Sequence, residues 1–152
     1  MNRVNQKRCG IISLLGEPNV GKSTLVNKII GEKVSIVTHK AQTTRARVRG
    51  IKVVKNVQLV LIDTPGVFNP KRRLDRAMVS AAWVGFFEAN VTLFILDVTR
   101  GLTKDGKSIL QSIVDKRTTN DPIVLVLNKI DRIKKEDLLL LTENINSRFD
   151  FK

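Results

Sequence analysis

The stretch GEPNVGKS, residues 16–23, restricts what this chain can fold into more than any other feature. It lies between an apolar run, IISLL, and a helix-like stretch, TLVNKIIG. Its spacing fits G-x-x-x-x-G-K-[ST], a strand-to-helix turn whose successive backbone N–H groups wrap phosphates. Gly16, Glu17, Pro18, Asn19, Val20 and Gly21 would form the cradle and Lys22 would add positive charge. Ser23, followed by Thr24, would reach a Mg²⁺ ion. A nucleoside triphosphate is the expected occupant.

The rest of the chain alternates strand and helix patterns. Residues 10–15 predict a buried strand, and 22–30 a helix stopped by Gly31. VRGIKVV (48–54) and VQLVLID (57–63) are separated only by Lys55 and Asn56, which predicts an antiparallel hairpin. VTLFILD (91–97) and PIVLVLN (122–128) are apolar on both faces, as central parallel strands are. Helices are expected at about 72–89, 104–117 and 135–148, the second capped by Thr103 or Asp105. This predicts an α/β fold with a mostly parallel sheet, one antiparallel edge strand and flanking helices. Right-handed crossovers would gather GEPNVGKS, DTPG and NKID on one rim, where ligands of open α/β sheets bind.

Two of those loops refine the ligand. In LVLIDTPG, Asp63 ends an apolar strand where its carboxylate can meet the Mg²⁺ shell. After Thr64 and Pro65, Gly66 can offer a backbone N–H to the γ-phosphate. The competing reading is a Pro-Gly turn with an incidental carboxylate, disfavoured by the phosphate loop upstream. In VLVLNKID, the Asp131 carboxylate can accept two hydrogen bonds from guanine N1–H and N2–H₂, which adenine cannot supply. Asn128 can bond the guanine edge and nearby loops, and the stem of Lys129, next to Ile130, can lie along the base plane. N-K-x-D arises by chance in surface loops. Here it follows a buried strand downstream of DTPG.

Taken together, GEPNVGKS, DTPG and NKID resemble the first, third and fourth nucleotide motifs of translation-factor-class GTPases. KAQTTRARVRGI (40–51), with residues 16–38 and RRLDRAM (72–78), makes the chain similar to G domains of the Era/TrmE family over nearly its whole length. The resemblance implies a P-loop NTPase fold of the Ras-like kind and slow hydrolysis of GTP to GDP and phosphate. It also implies a role in 30S subunit assembly and 16S rRNA maturation, and a monomer. Thr44 would close over Mg²⁺ beside Thr43, and Lys22, Thr44 and Gly66 would serve catalysis. Ras-like enzymes carry a water-orienting glutamine where this chain has Val67, so that task would fall to backbone groups, the switch loop or a cation. Asn19 would either hold K⁺, as in some relatives, or stiffen the loop through backbone hydrogen bonds. The family continues into an S-A-x loop contacting guanine and a KH RNA-binding domain. Residues 1–152 are expected to be the G domain alone, ending before both, with a sheet edge exposed and nucleotide retention weakened.

Charge adds one further expectation. Lysine and arginine outnumber acidic residues 27 to 14, a net charge of +13, and residues 1–55 carry most of it, twelve basic against two acidic. This segment would contact RNA or simply face phosphates and solvent. The single cysteine, Cys9, excludes an internal disulfide and fits a buried position in a reducing cytosolic protein. No apolar run is long enough to cross a bilayer, and peripheral contact with the inner membrane stays open. His39 reads as solvated, Trp83, Phe86 and Phe87 as core, and Lys71, Arg72 and Arg73 as a solvated helix start or a docking patch. Three rivals remain: a sister ribosome-assembly or tRNA-modifying GTPase, a non-hydrolysing GTP-dependent binding module, and a P-loop kinase.

Overall fold

A computed structural model describes residues 8–37, 44–116, 122–149 and 151. Five strands, β1 (Arg8–Leu15), β2 (Val48–Val54), β3 (Val57–Asp63), β4 (Val91–Asp97) and β5 (Ile123–Asn128), form one sheet in the order β2-β3-β1-β4-β5. Only β2 runs antiparallel to its neighbour; β1 pairs in parallel with β3 and β4, and β4 with β5. The β2–β3 hairpin turns through Lys55 at φ 56, with Val54 opposite Val57. Four helices follow the expected pattern: α1 (Lys22–Ile30), α2 (Arg73–Phe87), α3 (Lys104–Lys116) and α4 (Lys135–Asn146).

The period of two in the strands divides the core. Leu14, Leu61 and Ile95 face one side of the sheet and pack with Val20 and the α1 residues Val26 and Ile30. Leu15, Phe94 and Leu96 face the other side, where they meet Ala82 and Phe86 of α2, Ile109, Leu110 and Ile113 of α3, and Ile145 of α4. Rigid packing on both faces holds the ends of β1, β3, β4 and β5 at one rim.

Helix ends have identifiable chemistry. Gly31 adopts φ 94 and closes α1 with its N–H on the Asn27 carbonyl, as a left-handed terminus favours. The Asp75 carboxylate accepts the N–H groups of Lys71 and Arg72 and so caps α2. At α3 the cap is Thr103, whose hydroxyl accepts the Gly106 N–H at 2.9 Å.

Three expectations need correction. β5 is not central: among the described residues it is the outer strand, paired only with β4, and most of its residues are half-buried. Its apolar composition reflects packing on both faces, which says nothing about how many neighbours it has. Cys9 is exposed, because β1 begins two residues earlier than hydropathy predicts and carries Arg8 and Cys9 to the sheet end opposite the loops. Phe87 is also exposed, one residue around the last turn of α2 from buried Phe86, whereas Trp83 packs edge-on against Phe86 at 5.7 Å. His39, Gln42 and Thr43 lie outside the described residues.

Candidate nucleotide site

The phosphate loop is shaped by glycines at its two ends. Gly16 takes φ 149 with its Cα so near β4 that a Cβ would stand 2.5 Å from the Ile95 carbonyl oxygen. Gly21 takes φ 103, and a Cβ there would meet the Asn128 amide at 2.3 Å. Between them Asn19 also adopts a left-handed conformation, φ 64, which asparagine tolerates better than most residues. The loop borders a cavity of about 340 Å³, also lined by Ser23, Thr24, Thr44, Thr64 and Lys129.

The cationic and anionic partners of the loop are buried beside it. Lys22 is 6% exposed and donates to the carbonyls of Gly16 at 3.1 Å and Glu17 at 2.8 Å. Burial lowers its pKa to about 8, against the opposing pull of the Asp63 and Glu17 carboxylates. Asp63 is fully buried; its Oδ2 accepts the Ser23 hydroxyl at 2.6 Å and the Thr44 hydroxyl at 3.5 Å. Those two hydroxyls are 3.2 Å apart. Burial raises the Asp63 pKa, and the Ser23 hydroxyl and the Lys22 ammonium pull it back.

Among the described residues Asp63 Oδ1 has no hydrogen-bond partner although it is buried, with the Ser35 hydroxyl one of the groups that favour its charge. An anionic oxygen left so is costly unless a cation or its hydration shell satisfies it. The residues present therefore fit Mg²⁺: two hydroxyls and a carboxylate converge from α1, the residue 44 loop and β3. Among the described residues no three His, Cys, Asp or Glu side chains cluster as a metal set. Phosphate oxygens and water would complete such a shell.

The DTPG loop lies against the phosphate loop. A Cβ on Gly66 would stand 2.7 Å from Pro18 backbone atoms, so only glycine permits this approach. The Val67 N–H donates to the Gly16 carbonyl at 3.0 Å while its side chain enters the core. Thr64 is anchored through its hydroxyl to the Leu14 carbonyl. Glu17, Val20, Pro65 and Val67 are buried and do not line the cavity.

NKID is tied directly to the phosphate loop. Asn128 donates from Nδ2 to the Val20 carbonyl at 2.7 Å, and Lys129 donates from Nζ to the Asn19 carbonyl at 3.2 Å. Lys129 takes φ 63 and opens a single 3-10 turn, Ile130–Arg132. Asp131 projects from that turn with its carboxylate largely in solvent, 3.9 Å from Arg132 Nε. Ile130 is exposed beside it.

Some site residues escaped the motif reading. Asp97 ends β4 in register with Asn128 and binds Lys129 Nζ at 2.5 Å. Burial alone would push its carboxyl up, but the Lys129 ammonium and Thr99 hold it below the usual carboxylate range. Its signal was an acid closing an apolar strand, as Asp63 does. Asn27 on α1 clamps the segment after the helix, accepting the N–H groups of Val34 and Ser35 and donating to the Ser35 carbonyl. Glu88 at the end of α2 binds Arg47 and Arg49 at 2.6 and 2.8 Å, fixing the chain that leaves Thr44. No spacing rule marks either.

Residues 11–129 match the family of 50S ribosome-binding GTPases. The chain belongs to this family. Its likeness throughout is to the G domain of Era. It is 52% identical to the GTPase Era of Mesorhizobium japonicum over 143 residues, which cover 94% of the chain and 45% of that relative. A crystal structure of Era in complex with MgGDPNP and nucleotides 1506–1542 of 16S ribosomal RNA superposes with a TM-score of 0.87 at 39% identity, over 94% of the chain and 48% of that one. An Era variant from Aquifex aeolicus bound to GDP and aluminium fluoride gives 0.85 at 39% identity, over 93% and 48%. The chain thus spans about half the length of the relatives it matches. The fold is that of a Ras-like G domain with one antiparallel edge strand.

Proposed function

We propose that this chain is a GTP-binding and GTP-hydrolysing switch of the Era type, and that its cycle serves 16S rRNA maturation in the small ribosomal subunit. The observation that carries the nucleotide part is the convergence of Lys22, Ser23 and Thr44 on one cavity, with the buried Asp63 carboxylate bonded to both hydroxyls behind them. Lys22 exchanges its loop carbonyls for β- and γ-phosphate oxygens, Gly66 offers its N–H to the γ-phosphate, and Asp131 reads guanine. Ser23, Thr44 and Asp63 would hold Mg²⁺, which when bound would offset charge on the phosphate oxygens. Water attacks the γ-phosphorus in line, the bond to the β,γ-bridging oxygen breaks, and the proton leaves with phosphate.

Val67 supports a slow intrinsic rate, since a side chain committed to the core cannot orient that water. A K⁺ ion at Asn19 is the finer form of the proposal. Equal turnover in K⁺ and Na⁺, unchanged by Asn19→Ala, would exclude it and leave the backbone role of Asn19. The ribosomal part draws on the Era relative crystallised with 16S rRNA. We place the KH-mediated contact outside these 152 residues, and with it a cytoplasmic monomer that touches the inner membrane only peripherally. Among the described residues no helix is long and apolar enough to cross a membrane.

Titration of the purified chain with fluorescent GTP, GDP and ATP, with and without Mg²⁺, tests the reading. Guanine-selective, Mg²⁺-dependent GTP binding followed by single-turnover phosphate release is expected. Stable GTP binding without release would favour the non-hydrolysing module, and adenine preference would overturn the assignment.

A further inference from the structure

The phosphate loop contains a carboxylate, which has the wrong sign for its task. Glu17 sits one residue into the cradle, and its side chain is only 5% exposed. Lys22 donates to the Glu17 backbone carbonyl, so this acid neighbours the cation expected to meet the phosphates. A buried, uncompensated carboxylate there would both cost stability and repel a triphosphate.

The carboxylate is turned away from the cavity toward α3. A Cβ on Gly106, in the first turn of that helix, would stand 3.4 Å from Glu17 Oε2, an ordinary contact distance, so the acid packs against the start of α3. Arg100, on the turn after β4, reaches Glu17 Oε1 from Nη2 at 3.0 Å. Its other terminal nitrogen donates to the Pro18 carbonyl at 3.4 Å. One guanidinium thus binds the acid and the backbone of the next loop residue.

We infer that Arg100 is a positioning residue for the phosphate loop, whose guanidinium cancels the Glu17 charge and pins Pro18 so that the cradle presents net positive potential to the nucleotide. This rests on the nucleotide reading proposed above. Neither residue touches the phosphates through its side chain; the pair acts through loop shape and field. The pair also couples the β4–α3 connection to the phosphate loop. Arg100 is half exposed, so added salt weakens its effect without abolishing it.

A charge-reversal logic supplies the test. Mg²⁺·GDP affinity is measured by titration at low and moderate salt for the wild-type chain, Arg100→Ala, Glu17→Gln and the double variant, with circular dichroism to monitor folding. Arg100→Ala should weaken affinity by about tenfold, less than the loss of one partner of a fully desolvated pair because Arg100 is half exposed. Glu17→Gln should tighten binding several-fold, roughly as one loop charge allows. Adding Glu17→Gln to Arg100→Ala should recover most of the loss at unchanged circular dichroism and melting temperature, which an arginine acting only through Pro18 or only on stability would not allow. If Arg100→Ala unfolds, a folded, GDP-binding double variant carries the same conclusion. Wild-type affinity in Arg100→Ala, a loss that Glu17→Gln does not rescue, or a double variant that also fails to fold would overturn the inference. Failure of the wild-type chain to bind GDP would instead remove the nucleotide reading, and this inference with it.

Discussion

At Lys22 the same burial that positions the ammonium also makes its proton easier to lose. Its pKa is lowered to about 8 from 10.5, so between these values the unfolded chain binds the proton and the native loop does not. Stability of the nucleotide-free protein therefore rises with pH across that window, the burial penalty being complete below it. Nucleotide affinity runs the other way: phosphates need the ammonium, so GTP binding should fall as pH passes about 8. Titrations from pH 7 to 9.5 should show an inflection that Lys22→Arg, which stays charged, lacks. Asp131 makes a second residue-scale prediction. Asp131→Asn should reduce GTP affinity by at least about tenfold and improve xanthosine triphosphate binding, read by competition, because the amide donates where the guanine edge also donates. The motif residues could be singled out because each phosphate or base contact proposed for them would demand a fixed chemistry at a fixed offset. Asp97, Arg100 and Asn27 were not, because their partners lie 32, 83 and 8 positions away and only the folded topology brings them together.

Among the elements, strands and helices were readable wherever a hydrophobic period ran to its end, and α1 has the bounds its pattern predicts. Ends set by hydrogen bonding were less so. β1 extends to Arg8 because that N–H finds the Asn56 carbonyl, and α2 stops at Phe87, short of residue 89. Among the described residues β5 lies at the sheet edge, a matter of strand order that an apolar run does not encode. Asn27 fastens residues 34 and 35 after α1, and the Glu88–Arg47 pair fastens the chain after Thr44. Asn27→Ala removes three hydrogen bonds and should cost about 2 kcal/mol in denaturant unfolding. It should also speed amide exchange at residues 34–37 while that in β4 changes little.

For the molecule as a whole, stability and ligand occupancy are linked. GDP with Mg²⁺ at a hundredfold excess over its dissociation constant adds about 2.7 kcal/mol, which for a domain of this size raises Tm by roughly 5–10 °C. ATP at the same concentration should leave the melting curve unmoved in differential scanning calorimetry. Net charge, +13 and concentrated before residue 56, belongs to this scale as well, because its field acts on any polyanion that approaches. RNA retention that vanishes steeply with salt would mark a contact through this surface. The bonds from Asn128 to Val20 and from Lys129 to Asn19 carry a mechanical consequence. On the reading proposed above, purine grip and tail grip would share one lever and release would be concerted: a protein that pried at either end would loosen both without touching the nucleotide.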